Sequence, residues 1–158
     1  MALKPDRTHI DSQIDYFMST VAERGGIVSV STAASGAAMD NSSAVCAYNA
    51  EPSGTKALGV LMCDVVNLDL TRQHINFHQE EVQVGGKVTI WSKGTVVTDR
   101  ILPGNTPAGG DNAWVAHSGY IANTDVATDD ADTVSRIVGR FLSSKDEDGF
   151  AKVSINIP

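Results

Sequence analysis

RIVGRFLSSKDEDGFAKVSINI, residues 136–157, decides the fold class. In its second half Ala151, Val153, Ile155 and Ile157 alternate with Lys152, Ser154 and Asn156. That period of two sends one side of a strand into a core and the other into water. Arg136 to Leu142 precedes it as a second apolar-rich run, and the polar SSKDEDG between them ends in a glycine. Two such runs about a short polar turn predict an antiparallel hairpin, with Val153 and Ile155 on its inward face.

The same period recurs upstream. Val82 to Val84 and Lys87 to Trp91 flank Gly85-Gly86, a hairpin or bulge signal, and Gly94 to Thr98 reads as a further strand. Trp114 to Ile121, Leu58 to Leu68, Ala44 to Tyr48 and Ile27 to Val30 complete the strand-like runs. Between them lie loop signals: STAASGAAMDNSS at 31–43, the turn Glu51-Pro52-Ser53-Gly54, LPGNTPAGGDN at 102–112, and an acidic stretch at 122–133. Thr71 to Glu81 is polar and reads as a loop or a partly exposed strand. Seven to nine short strands at near-regular spacing, without a long helix, predict an all-β barrel or sandwich.

Composition agrees. The 158 residues contain 17 Val, 10 Ile and 12 Thr against 7 Leu, a β-branched excess that favours sheets. Aromatic residues are only 6 %, so each core residue buries little area, and association with other chains is one way to make up the deficit. The longest uninterrupted apolar run, Ala57 to Cys63, is far short of the roughly 20 residues of a membrane helix. Residues 1–20 carry no apolar core of a secretory signal. A net charge of −7 repels phosphate backbones, so neither a membrane nor a nucleic acid is an expected partner.

Residues 1–24 read differently from 25–158 and form an expected N-terminal arm ahead of a β-rich domain. Ile10, Ile14, Phe17 and Val21 are spaced four, three and four apart, a helical stripe that Gly25-Gly26 would end. The opening LKPDRTHID is closer to an extended arm. Two readings follow: an arm that orders on a partner through Ile10, Ile14, Tyr16, Phe17 and Val21, or a helix packed on the chain's own barrel. Deletion of residues 1–22 separates them, since the first reading expects the barrel to survive.

Residues with chemical potential do not assemble into a catalytic set. His74 and His78 stand four apart, but Ile75, Asn76 and Phe77 lie between them and a third ligand could come only from elsewhere, Glu80 or His117. Lys145-Asp146-Glu147-Asp148-Gly149 resembles the start of a calcium loop but runs straight into a strand, so a solvated turn is expected. Gly85-Gly86-Lys87-Val88 lacks the remainder of a phosphate loop, and no GxSxG occurs. Cys46 and Cys63 sit in apolar strand contexts, where burial raises a thiol pKa. No cofactor, no metal and no enzymatic activity are expected.

Taken together, the runs IDYFMSTVAERGGIVSVSTA (14–33), LGVLMCDVVNLDLTRQHINFHQEEVQVGGKVTIWSKGTVV (58–97), LPGNTPAGGDNAWVAHSGYI (102–121) and VGRFLSSKDEDGFAKVSI (138–155) cover most of the chain. In this pattern the chain resembles the head decoration, or capsid cement, proteins of tailed bacteriophages. VQVGGKVTI followed by KG, and the closing VGRFLS…DEDGFAKV, are the most specific blocks. The resemblance implies a non-enzymatic virion protein on the outer surface of the head, made in the host cytoplasm. It implies homotrimers at threefold or quasi-threefold positions that bridge the major capsid protein after the shell expands. A β-barrel carbohydrate-binding or host-adhesion module is the alternative; an exposed aromatic platform would favour it, and Tyr48, Trp91, Trp114 and Tyr120 are few and scattered for one.

Overall fold

Lys87–Thr98 is one continuous strand of 12 residues, and the rest of the fold is organised along it. The computed structural model describes residues 3–4, 11–30, 44–48, 56–64, 81–82, 84–126 and 135–158. In chain order the strands are β1 (Leu3–Lys4), β2 (Asp11–Met18), β3 (Ala22–Glu23), β4 (Ile27–Val30), β5 (Ala44–Tyr48) and β6 (Ala57–Asp64). They continue with β7 (Glu81–Val82), β8 (Lys87–Thr98), β9 (Asn112–Val115), β10 (Ile121–Ala122), β11 (Ile137–Phe141) and β12 (Ala151–Asn156). A single 3₁₀ turn, His117–Gly119, separates β9 from β10. No α-helix occurs among the described residues, and the all-β expectation holds.

The first half of β8 closes a ring. β2 pairs with β8, β8 with β6, β6 with β4, β4 with β5, and β5 returns in parallel to β2. The second half of β8 carries a curled antiparallel sheet in the order β8, β12, β11, β9, β10. Its far edge is covered by the chain that leaves β8. Ile121 N donates to Arg100 O at 2.9 Å, Leu102 N donates to Ile121 O at 2.8 Å, and Ile101 bridges Ile121 in parallel. Ring and curled sheet therefore share one strand, and most strand edges are paired within the chain, which limits edge-to-edge association.

Each half has its own core. Met18, Val28, Leu61, Val82, Val88 and Ile90 fill the ring. Val96, Val115, Ile121, Phe141, Val153 and Ile155 line the concave side of the curled sheet. Ile27, Ala57 and Val60 join that second cluster, so β4 and β6 are covered on both faces. This double coverage explains why IVSV and ALGVLM read as near-continuous apolar runs, not as alternations.

The terminal hairpin forms as the alternation requires, with Ala151, Val153, Ile155 and Ile157 buried and Asn156 exposed. Its turn is capped from within. Asp146 Oδ1 accepts the backbone N–H of Asp148 at 3.1 Å and of Phe150 at 2.8 Å. Two expectations change. The strands expected at 87–91 and 94–98 are one, because β12 pairs with Lys93, Gly94 and Thr95 across the supposed break. The helical stripe Ile10, Ile14, Phe17, Val21 is not realised, since Asp11–Met18 is a strand of the ring. β8 pairs along this segment with two register shifts and β5 pairs with Tyr16–Met18 on the other side, and these ladders override a short run of helical spacing.

Candidate functional site

At the seam between the ring and the curled sheet, Val21, Ala22, Glu23, Tyr48, Arg100, Ser118 and Tyr120 line an open cleft of about 310 Å³. β3 supplies one wall and the end of β5 supplies Tyr48. The turn after β8 supplies Arg100, and the 3₁₀ turn supplies Ser118. Ser118 adopts the left-handed conformation (φ 55°, ψ 33°) where the chain reverses from β9 into β10.

Tyr48 is the hinge pin of this seam. A Cβ at Gly26 or at Gly119 would collide with its ring, so only glycine lets the two backbones close on its two sides. Its hydroxyl donates to the Glu23 carbonyl at 2.5 Å. Burial pushes that hydroxyl well above the ordinary tyrosine value of 10.0, and the neighbouring Tyr120 and Asp99 add to the effect. A phenol held protonated and already donating to a carbonyl is neither a nucleophile nor a base.

Arg100 is similarly engaged. Its guanidinium pairs with the Glu23 carboxylate, and its Nε lies 3.6 Å from Asp99 Oδ1. Its backbone N–H donates to Thr98 Oγ1 at 3.0 Å, and that buried hydroxyl donates to the Gly25 carbonyl at 3.0 Å. Gly25 N donates in turn to Leu61 O at 2.8 Å. The cleft is thus the surface of a clamp that ties β3, β5, β6 and β8 together through Glu23, Tyr48, Thr98 and Arg100, while Arg100 Nε is buried without a hydrogen-bond partner among the described residues.

The five residues expected on the partner-binding arm fall in different places. Ile10 lies outside the described residues, and of Ile14 only the backbone position in β2 is described. Tyr16 and Phe17 are half-buried in β2, and Tyr16 packs against the ring core. Val21 alone projects, at 57 % exposure, on the rim of the cleft. Val84, also 57 % exposed, lies in the turn between β7 and β8. The segments that carry the two valines run side by side, held by Gly85 N to Met18 O at 2.8 Å and by the Ala22–Val82 register.

The remaining candidates are quickly placed. His74 and His78 lie outside the described residues, as do Asp129, Asp130 and Asp132. Cys46 and Cys63 are in β5 and β6, with only their backbone described. Among the described residues no group of three His, Cys, Asp or Glu could hold a metal ion. Asp125 Oδ1 accepts Ser135 Oγ–H at 2.6 Å and Ser135 N–H at 3.0 Å. In the 102–112 loop, Asp111 Oδ2 accepts Ala108 N at 2.9 Å and Asn123 Nδ2 at 3.3 Å. Of the four aromatics of the carbohydrate alternative, Tyr48 is clamped and Trp91 packs against the second core. Tyr48 and Tyr120 line the same cleft, whereas Trp91 lies on β8 and Trp114 on β9. Glu23 and Arg100 were not singled out from sequence, and the paired glycines around Tyr48 carried no visible signal of their shared neighbour. No family profile and no curated protein matches the chain.

Proposed function

We propose that the protein is a structural component of a tailed-phage head, attached to the outer surface of the capsid and bridging neighbouring major capsid proteins as a homotrimer. One observation carries the reading: the two blocks most specific to the resemblance fall on β8 and on the β11–β12 hairpin, strands that pair with one another along the spine of the fold. The Arg100–Glu23 pair, the Tyr48 hydroxyl and the Thr98 hydroxyl hold the ring and the curled sheet together, as suits a load-carrying part. Capsid contact is assigned to exposed Val21 and Val84 together with the chain that precedes β2. The test is attachment of the purified protein to expanded heads that lack it, followed by electron microscopy. Density on the outer surface at threefold positions, weakened by Val21→Asp or Val84→Asp in folded protein, is the expected result. Heads that take up none of the wild-type protein refute the reading.

A further inference from the structure

Strands β8, β9, β11 and β12 carry Lys87, Lys93, Arg140 and Lys152 but no Asp or Glu, so all 19 acidic residues of the chain lie outside them. The register shows where three of these cations sit. Inward Val153 and Ile155 alternate with outward Lys152, Ser154 and Asn156. Arg140 stands opposite Ser154 on one side and Asn112 on the other, and Lys93 stands opposite Asn156. Asp11 of β2 is the register partner of Lys93 on its other flank, so the cationic centre of the face is Arg140. Arg140 is exposed and makes no ion pair among the described residues. Beside it Ile137 and Leu142 are 45 % and 47 % exposed, and Ile137 is the register partner of half-buried Trp114. A cationic sheet face bearing apolar side chains is therefore set into a molecule of net charge −7.

We propose that this outer face docks a second copy of the chain, which meets it with the exposed acidic tip of its terminal hairpin. The proposal rests on the reading of the protein as a self-assembling structural component. Two copies of charge −7 repel in most orientations, and an acidic element aimed at the Arg140 face is the approach that attracts. The tip is suited to the task. Glu147 and Asp148 are exposed, and Asp146 fixes the turn through its two backbone hydrogen bonds, so little order is lost on docking. The tip lies at the end of β11 and β12 and the face lies on their flank. The contact is therefore heterologous, the type that generates a cyclic ring when the rotation from copy to copy closes. The same face would also meet a polyanion, but the chain's overall negative charge opposes that partner.

Sedimentation velocity over a concentration series, at low and at high salt, tests this on the full chain. The wild type is expected to assemble at low salt and to dissociate as salt rises. Arg140→Glu and Glu147→Lys should each weaken assembly at least tenfold, about 1.4 kcal/mol, and combining the two in one chain should restore it. Leu142→Ser is a charge-neutral second probe and should weaken assembly with circular dichroism unchanged. Assembly by the wild type that is indifferent to all of these variants overturns the docking face and leaves the capsid reading standing. A wild type that stays monomeric at every salt concentration overturns the docking face as well, and head attachment then judges the capsid reading separately. Duplex DNA binding that is lost in Arg140→Glu reassigns the face to polyanions and also overturns the proposal.

Discussion

Val153→Asp tests the inward face of the terminal hairpin, on which the whole second core depends. Val153 is fully buried, paired across β12 with Val96 of β8 and with Phe141 of β11. Removing its side chain from the core forfeits about 1.5–3 kcal/mol of burial. Placing a carboxyl there without a hydrogen-bond partner costs about 1–3 kcal/mol more by mutational scales. The expected loss of about 3–6 kcal/mol is a large share of the 5–15 kcal/mol typical of a domain. Urea unfolding followed by tryptophan fluorescence suits the test, because Trp91 packs against the same cluster. The midpoint should fall by the corresponding amount, with the slope unchanged. The loss should also depend on pH in a defined direction. An apolar site raises the folded-state pKa of the new carboxyl above its unfolded value of about 3.9, so the native state binds the extra proton. The deficit against wild type is then greatest at neutral pH and shrinks as pH falls toward 4. A soluble variant with a midpoint near wild type, flat across this range, would falsify the inward assignment.

Four further outcomes are expected. Gly139→Ala should destabilise by about 2–4 kcal/mol, since a Cβ there collides with the Ser154 backbone carbonyl and no flexible side chain can yield; a neutral effect in thermal melts would contradict the close approach of β11 to β12. Tyr48 should resist ionisation in alkaline absorbance titration, and because its folded pKa lies above the unfolded 10.0, stability it contributes below pH 10 should be lost as pH rises past that value. A tyrosine complement that titrates fully near pH 10 in folded protein would remove the buried hydroxyl from the account. Tyr48→Phe should cost about 1 kcal/mol through the orphaned Glu23 carbonyl, read from the urea midpoint, with a gain in stability as the contrary result. Deletion of residues 1–22 should abolish the native circular dichroism spectrum, because it removes β2 from between β8 and β5 and takes Met18 out of the ring core; a deletion that melts like wild type would restore the free-arm reading.

Local alternation was enough to determine the strands whose two faces meet different surroundings. Ala151 to Ile157 alternates because one side of β12 meets Phe141 and Val96 and the other meets water, and Ile27–Val30 and Ala44–Tyr48 appear at the boundaries their residues predict. The β-branched excess and the absence of long periodic segments sufficed for the all-β class. Other features depend on partners distant in the chain. Asp11–Met18 carries helical spacing, yet it becomes a strand because β5 and β8 present edges to it, and no window of sequence contains those edges. Gly94 looks like a break in β8 until β12 pairs across it. The seam is the extreme case: Gly26, Tyr48, Thr98, Arg100 and Gly119 stand far apart in sequence, and their shared hydrogen bonds and contacts exist only once the ring and the curled sheet have closed on Tyr48. Side-chain period is a property of neighbours along the chain, whereas a ring, an edge and a clamp are properties of which strands meet.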